Sequence, residues 1–201
     1  MKMLTLAVIG YLVGSIPFAL VIGKVFYKTD VRKHGSGNLG GGNTGRVLGK
    51  KAGVAVMTLD ILKVAFVVFL ANRFLHTETA VACGGLAAAV GHCWPVFAGF
   101  RGGKAVATMY GFLFGLFIFA GYSPLVFFLP LSLFLLVLKL TKIISLSSIV
   151  SSAVVTIYVC LSTDSASVGL ALVIFTILIV ARHRKNIERI CKHQENKVSW
   201  M

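Results

Sequence analysis

Long apolar runs separated by short basic segments form the pattern of hydrophobic and polar positions in this chain. A run of about 20 apolar residues can cross a bilayer as a helix, because helical backbone groups bond within their own segment. The pattern predicts seven such spans, two of which share one longer stretch. They are Leu4–Gly23, Ala52–Ala71, Thr79–Trp94, two spans between Lys104 and Lys139, Ile143–Thr163 and Ser165–Ala181.

The fourth and fifth spans share 34 uncharged residues between Lys104 and Lys139. The sequence Gly121-Tyr122-Ser123-Pro124 interrupts this stretch, and proline cannot continue a helix, so a turn is predicted there. No soluble domain fits between the spans. The chain is therefore predicted to be a single all-α integral membrane domain over residues 1–201, with seven transmembrane helices.

The composition agrees with a membrane class of protein. Of the 201 residues, 57% are hydrophobic and 13% charged, and the mean hydropathy is +0.90, which excludes an ordinary soluble domain. A net charge of +14 could indicate nucleic acid binding, but the cations lie in short loops between apolar runs, which argues against that partner. Four scattered cysteines indicate neither a disulfide frame nor a metal site.

Lysine and arginine are concentrated in alternate loops. Seventeen of the 20 lie after the first, third, fifth and seventh spans, whereas Lys2 and Arg73 lie on the other side and Lys63 lies inside the second span. Cytoplasmic loops carry the excess of basic residues. This predicts an N-terminus outside the cell, a C-terminus in the cytoplasm, and polar motifs that face the cytosol.

The first of these motifs is a glycine-rich segment after the first span. Six of the thirteen residues at 34–46 are glycine. Their backbone N–H groups, together with Ser36, Asn38 and Asn43, could hydrogen-bond a phosphate, and Arg46 adds a fixed bidentate cation. A flexible linker is the alternative interpretation.

A second motif occupies residues 91–108 after the third span and carries His92, Arg101 and Lys104, with Gly102-Gly103 between the two cations. Exposed glycine N–H groups beside cations suit an anion, above all a phosphate. The alternative is a solvated hinge at the membrane surface.

Two smaller polar groups face the same side. Ser145 and Ser148 begin the sixth span, where they could cap the helix or direct hydroxyls at the same anion. After the seventh span, Arg182, Asn186 and Arg189 share one helix face, with His183 close by. A solvated basic helix end that prefers anionic lipid is the alternative for this second group.

Asp60 and Lys63 are three residues apart inside the second span and can pair on one helix face. An ionisable residue within a membrane span is a functional hypothesis by default. A neutralised pair that fixes helix packing explains the same residues equally well. The sequence leaves both interpretations open.

Together these motifs resemble the bacterial acyl-phosphate:glycerol-3-phosphate acyltransferases, the PlsY family, over nearly the whole chain. One departure is Gly42, which stands where the family usually has threonine. The matching residues are Ser36, Gly37, Asn38, Gly40, Asn43, Asp60, Lys63, Gly91, His92, Pro95, Phe97, Phe100, Gly102, Gly103, Lys104, Ala107, Thr108, Ser145, Ser148, Arg182, His183, Asn186, Ile187 and Arg189.

The resemblance implies an enzyme of the bacterial inner membrane that transfers a fatty acyl group from acyl phosphate to the 1-hydroxyl of glycerol 3-phosphate. It implies lysophosphatidic acid and phosphate as products, with no metal or other cofactor. The implied catalytic residues are Ser36, Asn38, Lys104, His183 and Asn186. The implied substrate-binding residues are Gly37, Gly40, Asn43, Arg46, His92, Gly102, Gly103, Ser145, Ser148 and Arg182.

A small membrane transporter for an anionic, phosphate-bearing solute is the alternative from another class. The charges in the second span and the glycine breaks would suit a carrier. A carrier needs access from both sides, however, and the polar motifs are predicted to lie on one face. A non-catalytic assembly subunit would not need four basic motifs that converge.

Overall fold

The computed structural model describes residues 1–198 and shows an all-helical chain over that range. The all-α prediction is confirmed. Short 3₁₀ turns at Val31–Lys33 and Val96–Ala98 interrupt the loops that carry the two glycine motifs. The ten helices are α1 Lys2–Gly14, α2 Phe18–Tyr27, α3 Gly41–Leu48, α4 Lys50–Leu75, α5 Glu78–Cys93, α6 Val106–Phe119, α7 Leu125–Thr141, α8 Ile144–Ser162, α9 Ala166–Arg182 and α10 Arg184–Cys191.

Each predicted span coincides with a helix or a pair of helices. By length and hydropathy, four described segments can cross a membrane: Lys2–Tyr27, Lys50–Leu75, Glu78–Ala98 and Ile144–Ser162. A fifth is the pair α9 and α10, which is bent by 60°. Helices α6 and α7 are apolar but shorter. The turn predicted near Pro124 lies between these two helices.

The first predicted span is not one continuous helix. Helix α1 ends at Gly14 and α2 begins at Phe18. Pro17 lacks a backbone N–H and clashes with the preceding turn, which accounts for the break. The side chain of Lys63 stabilises the break from α4, because its Nζ donates to the Ile16 carbonyl at 3.0 Å.

Helix α4 is the centre of the bundle and packs against α1, α3, α5 and α6. Small residues permit these close approaches: a Cβ on Gly111 of α6 would overlap the backbone of α4 at Ile61, and a Cβ on Gly14 would overlap Ala88 of α5. The core beside α4 contains the stacked rings of Phe112 and Phe175, whose centroids are 5.3 Å apart. Close packing of this kind fixes the helix ends that carry the polar motifs.

The described bundle is apolar outside and partly polar inside. Large apolar side chains are exposed on its helices, such as Leu161 at 84% and Leu140 at 73%. In contrast, Ser147, Ser151 and Ser152 of α8 are fully buried. Soluble proteins show the opposite distribution. Exposed apolar side chains and buried polar ones suit a membrane, because the apolar surface can then face lipid.

Candidate active site

The four polar motifs meet at one end of the bundle, around two connected chambers. The inner chamber has a volume of about 300 Å³, and the outer one about 550 Å³. Both are lined by Ser36, Asn38, Lys104 and Asn186. All the predicted site residues line one chamber or the other except Gly103, which lies in the loop between Gly102 and Lys104. Segments far apart in sequence therefore form a single site.

The first glycine motif forms a loop that Asn43 holds together. Its Oδ1 accepts from Ser36 N at 2.8 Å and from Ser36 Oγ at 3.1 Å. Its Nδ2 donates to the Val31 carbonyl at 3.0 Å. Asn43 is 4% exposed, so in this structure its amide orders the loop, although the residue also lines the inner chamber.

Helix α3 begins inside this loop with its N-terminus at the inner chamber. Gly40, Gly41 and Gly42 line the chamber, and the N-cap residue of the helix, Gly40, has no side chain with which to cap it. The first N–H groups of a helix have no partner within it, and they carry the positive end of the helix dipole. A phosphate beside these glycines would accept their hydrogen bonds, with Arg46 at the same wall.

Four hydrogen bonds hold the second glycine motif in place. Gly103 N donates to the His92 carbonyl at 3.0 Å. The Gly102 carbonyl accepts from Asn38 Nδ2 at 3.3 Å and from Arg182 Nη2 at 3.2 Å, and Arg182 Nε donates to Gly103 O at 3.0 Å. The loop is thus fastened to the first motif and to α9, which fixes Lys104 at its end.

Arg182 has a different set of partners from the one predicted. Two of its donors bond backbone carbonyls of the glycine loop, and its guanidinium lies 5.5 Å from the ring centre of Trp94. The side chain still lines the outer chamber. Its observed contacts position the loop, so a phosphate would meet only the donors that remain.

Lys104 and Asn186 form the centre of the site, and the sequence analysis missed the residue that orients them. Lys104 Nζ donates to Asn186 Oδ1, and Asn186 Nδ2 donates to Glu195 Oε1. Arg189 Nε donates to Glu195 Oε2 at 2.7 Å and Ser145 Oγ to Oε1 at 2.8 Å. The only feature of the sequence that points to Glu195 is its position as an acidic residue within a basic tail.

The charges around Glu195 and Lys104 shift both pKa values. Burial raises the pKa of Glu195, but hydrogen bonds from Asn186, Arg189 and Ser145 outweigh it and hold the pKa below its usual value. The pKa of Lys104 is lowered to about 8, chiefly by burial; Glu195 opposes this shift, whereas the positive charges of Arg189, Arg46 and Arg182 contribute to it. Lys104 is therefore a poorly hydrated cation at neutral pH, ready to pair with an anion.

His183 presents a hydrogen-bond acceptor to the inner chamber. Its Nδ1 lies 2.8 Å from the Ile179 carbonyl, and since a carbonyl can only accept, Nδ1 carries the proton. In the neutral ring Nε2 is then an acceptor. Because His183 is buried and lines the chamber beside Asn186, a substrate hydroxyl could donate to it.

The serines at the start of α8 do not cap that helix. Its N-cap is Ile143, which makes no side-chain cap, so the capping interpretation is wrong. Ser148 Oγ donates to the Ile144 carbonyl at 2.8 Å within the helix, and Ser145 Oγ donates to Glu195. Both residues line the inner chamber, where their oxygens still have acceptor capacity.

The predicted pair in the second span is present. Lys63 Nζ lies 2.7 Å from Asp60 Oδ1, and both side chains are at most 3% exposed. His92 joins them, with Nδ1 3.6 Å from Asp60 Oδ1 and 3.2 Å from Lys63 Nζ. Lys63 thus neutralises Asp60 and stabilises the α1–α2 break, as the packing interpretation requires.

The inner chamber continues from this polar end into an apolar arm. The arm lies between α6 and α7, and its walls are Tyr110, Phe127, Leu131, Phe134 and Leu135. Tyr110 is held by its hydroxyl, which donates to the Pro130 carbonyl at 3.0 Å.

Within residues 1–198, no group of three or more His, Cys, Asp or Glu side chains could hold a metal ion.

The site thus has a cationic polar end joined to an apolar arm, within a bundle of apolar helices, and this form suits an amphiphile that bears a phosphate. Residues 4–193 match the family model described as glycerol-3-phosphate acyltransferase. The glycerol-3-phosphate acyltransferase of Geobacillus kaustophilus is 44% identical over 192 residues, 96% of this chain and 94% of the relative. Glycerol-3-phosphate acyltransferase 2 of Bacillus anthracis is 45% identical over 198 residues, 98% of this chain and 100% of the relative.

Solved structures agree. The crystal structure of PlsY (YgiH), an integral membrane glycerol 3-phosphate acyltransferase, in its glycerol 3-phosphate form superposes with a TM-score of 0.91 at 34% identity, covering 99% of this chain and 96% of the other. Its lysophosphatidic acid form gives a TM-score of 0.88 at the same identity and coverage. This chain belongs to the glycerol-3-phosphate acyltransferase family and is a multi-pass membrane protein.

Proposed function

We propose that this protein transfers a fatty acyl group from acyl phosphate to the 1-hydroxyl of glycerol 3-phosphate, giving lysophosphatidic acid and phosphate. The observation that carries the proposal is the continuity of the inner chamber from its cationic glycine loops to its apolar arm. An acyl phosphate needs both environments, because its charged phosphate and its apolar hydrocarbon tail are attached to the same carbonyl carbon.

The donor phosphate would lie against the N-terminus of α3, between Arg46 and Lys104, with its tail in the apolar arm. Glycine N–H groups and cations there would offset the repulsion between the two substrate phosphates. The outer chamber adds Arg101 and Lys185, which suits the phosphate of glycerol 3-phosphate. Holding both substrates in one cavity replaces a bimolecular encounter by an oriented reaction.

The 1-hydroxyl oxygen attacks the acyl carbon, and the bond between that carbon and the phosphate oxygen breaks. His183 Nε2 and Asn186 would orient the hydroxyl, and Ser36 and Asn38 would stabilise the oxyanion. The departing phosphate can accept the hydroxyl proton, so a protein base is not required. An acyl phosphate is already activated, which explains why the chemistry needs no cofactor.

For the membrane arrangement we infer seven crossings, with α6 and α7 as short spans and the N-terminus outside. The bias of basic residues supports this orientation, because the site lies at the end of the bundle that carries Arg46, Lys104 and Arg182. The site would then face the cytoplasm at the inner surface of the bacterial plasma membrane. This orientation can be tested by accessibility labelling of single cysteines. A cysteine at Arg73 should be labelled from outside the cell, and one at Lys185 only from the cytoplasmic side.

The test of function uses purified protein in lipid vesicles with palmitoyl phosphate and sn-glycerol 3-phosphate. We expect equal amounts of inorganic phosphate and lysophosphatidic acid, and no acylation when palmitoyl-coenzyme A replaces the acyl phosphate. Release of phosphate without lysophosphatidic acid, or uptake of glycerol 3-phosphate without either product, would contradict the proposal.

The pH dependence follows from Lys104. Its pKa is lowered to about 8 by burial, and a lysine is cationic below its pKa and neutral above it. We expect kcat/KM for glycerol 3-phosphate to fall about tenfold per pH unit above about 8, because kcat/KM reports the free enzyme. Lys104→Arg should remain cationic and extend activity to higher pH. An unchanged profile in that variant would rule out Lys104 as the titrating group.

A further inference from the structure

One oxygen of the Asp60–Lys63–His92 cluster is without a partner. Asp60 Oδ1 bonds Lys63 Nζ at 2.7 Å, but Oδ2 has no hydrogen-bond partner among residues 1–198. Asp60 is 1% exposed. An unsatisfied buried carboxylate oxygen carries a large free-energy penalty, so natural proteins retain one chiefly where a ligand or function requires it.

This oxygen belongs to a residue of the inner chamber wall. Asp60 lines that chamber together with Met57 and Ile61 of the same helix. Ser15 Oγ, the other unpartnered buried side-chain oxygen of the described residues, belongs to a residue that does not line the chamber. Of these two unpartnered oxygens within residues 1–198, Asp60 Oδ2 is the one that belongs to a residue of the chamber wall.

Asp60 lies where the chamber changes from polar to apolar. On one side it contacts His92, whose ring packs on Gly103 so closely that a Cβ there would overlap it. On the other side, the backbone carbonyl of Ile61 lies against Gly111 of α6, and Ile61 and Tyr110 both line the chamber. The acyl carbon must lie at this boundary, since it joins the tail to the phosphate. The attacking hydroxyl of glycerol 3-phosphate, and the hydroxyl next to it, must therefore reach this boundary between the polar and apolar parts of the chamber.

We propose that Asp60 Oδ2 accepts a hydrogen bond from the 2-hydroxyl of the acceptor substrate, which makes Asp60 a specificity-determining residue. Lys63 offsets the charge of the carboxylate through Oδ1, and Oδ2 remains as an acceptor for a hydroxyl that keeps its proton. The 1-hydroxyl loses its proton in the reaction, whereas the 2-hydroxyl does not. Holding the 2-hydroxyl at Asp60 would leave the 1-hydroxyl as the one free to attack.

This inference rests on the proposed function and is tested by pairing enzyme variants with substrate analogues. The analogue is 3-hydroxypropyl phosphate, which keeps the phosphate and the reacting hydroxyl but lacks the 2-hydroxyl. We expect the wild-type protein to prefer glycerol 3-phosphate by on the order of 10²-fold in kcat/KM, because a buried acceptor left unpaired is costly. In Asp60→Asn the preference should shrink to about 10-fold or less.

A purely structural role for Asp60 would lower kcat/KM for both substrates by the same factor and leave the preference unchanged, which would overturn the proposal. Should Asp60→Asn not fold, Asp60→Glu retains the charge, moves the carboxylate by one methylene, and should also reduce the preference. Leu62→Ala, an exposed position on α4, is the matched control and should keep the wild-type preference. Absence of acyl transfer by the wild-type protein would instead refute the proposed function.

Discussion

Lys104→Met should lower kcat/KM for acyl transfer by on the order of 10³-fold while the protein stays folded in the membrane. Methionine keeps most of the side-chain volume but removes the ammonium group. That group is the half-buried cation of the glycine loop, and it bonds Asn186 within the chamber. Removing one preorganised charge at a reacting centre costs about 10²–10³-fold, and loss of substrate binding adds to this. The measurement is the rate of phosphate release.

Lys139→Met is the matched control. Lys139 lies in the last turn of α7 and lines neither chamber, so its loss should leave kcat/KM unchanged. The thermal stability of Lys104→Met should be equal to or above that of the wild type, because burial disfavours the cation. Near-normal phosphate release from folded Lys104→Met would remove Lys104 from the mechanism.

The helices could be predicted because a membrane span is encoded locally. Apolar runs of sufficient length are incompatible with most other structures, and Pro124 marks the turn between α6 and α7. The break at Pro17 was equally local, yet hydropathy across Leu4–Gly23 concealed it. A hydropathy pattern measures apolar content and does not report a kink.

The convergence of the motifs could be predicted only through their charge pattern and the family resemblance. The distribution of basic residues among the loops predicts that Arg46, Lys104 and Arg182 lie on one side of a membrane, but it does not predict that they line one site. Individual partners depend on tertiary structure. Glu195 reaches Ser145 because the tail returns to α8, where Val198 N donates to the Lys142 carbonyl at 2.8 Å. No local pattern contains that contact.

Resemblance also cannot separate residues that touch substrate from residues that position others. Arg182 and Asn43 were both predicted to bind substrate, and in the structure both hold glycine loops in place. Arg182 donates to loop carbonyls, and Asn43 bonds the Val31 carbonyl and Ser36. Such contacts explain why a site residue can be essential without contacting the reactants. A substitution that moves the loop and keeps every charge distinguishes the two roles.

Gly102→Ala is that substitution, and we expect it to lower kcat/KM by on the order of 10²-fold. A Cβ at Gly102 would overlap the His92 carbonyl oxygen and approach Cys93 O to 2.9 Å and Pro95 Cδ to 2.6 Å. These are mainly backbone atoms, so the loop has to move. A displacement of about 1 Å at a reacting centre can cost 10²-fold, and here it would carry Lys104 with it.

Gly169→Ala is the control for adding a methyl group to a bundle glycine. Its Cβ would meet only Cys160 Sγ, at an ordinary 3.4 Å, so both kcat/KM and thermal stability should be retained or slightly raised. If Gly102→Ala keeps kcat/KM within about threefold of the wild type, the loop tolerates displacement. The position of Lys104 would then not depend on the fixed geometry of Gly102-Gly103, and the four hydrogen bonds that fasten this loop would serve stability alone.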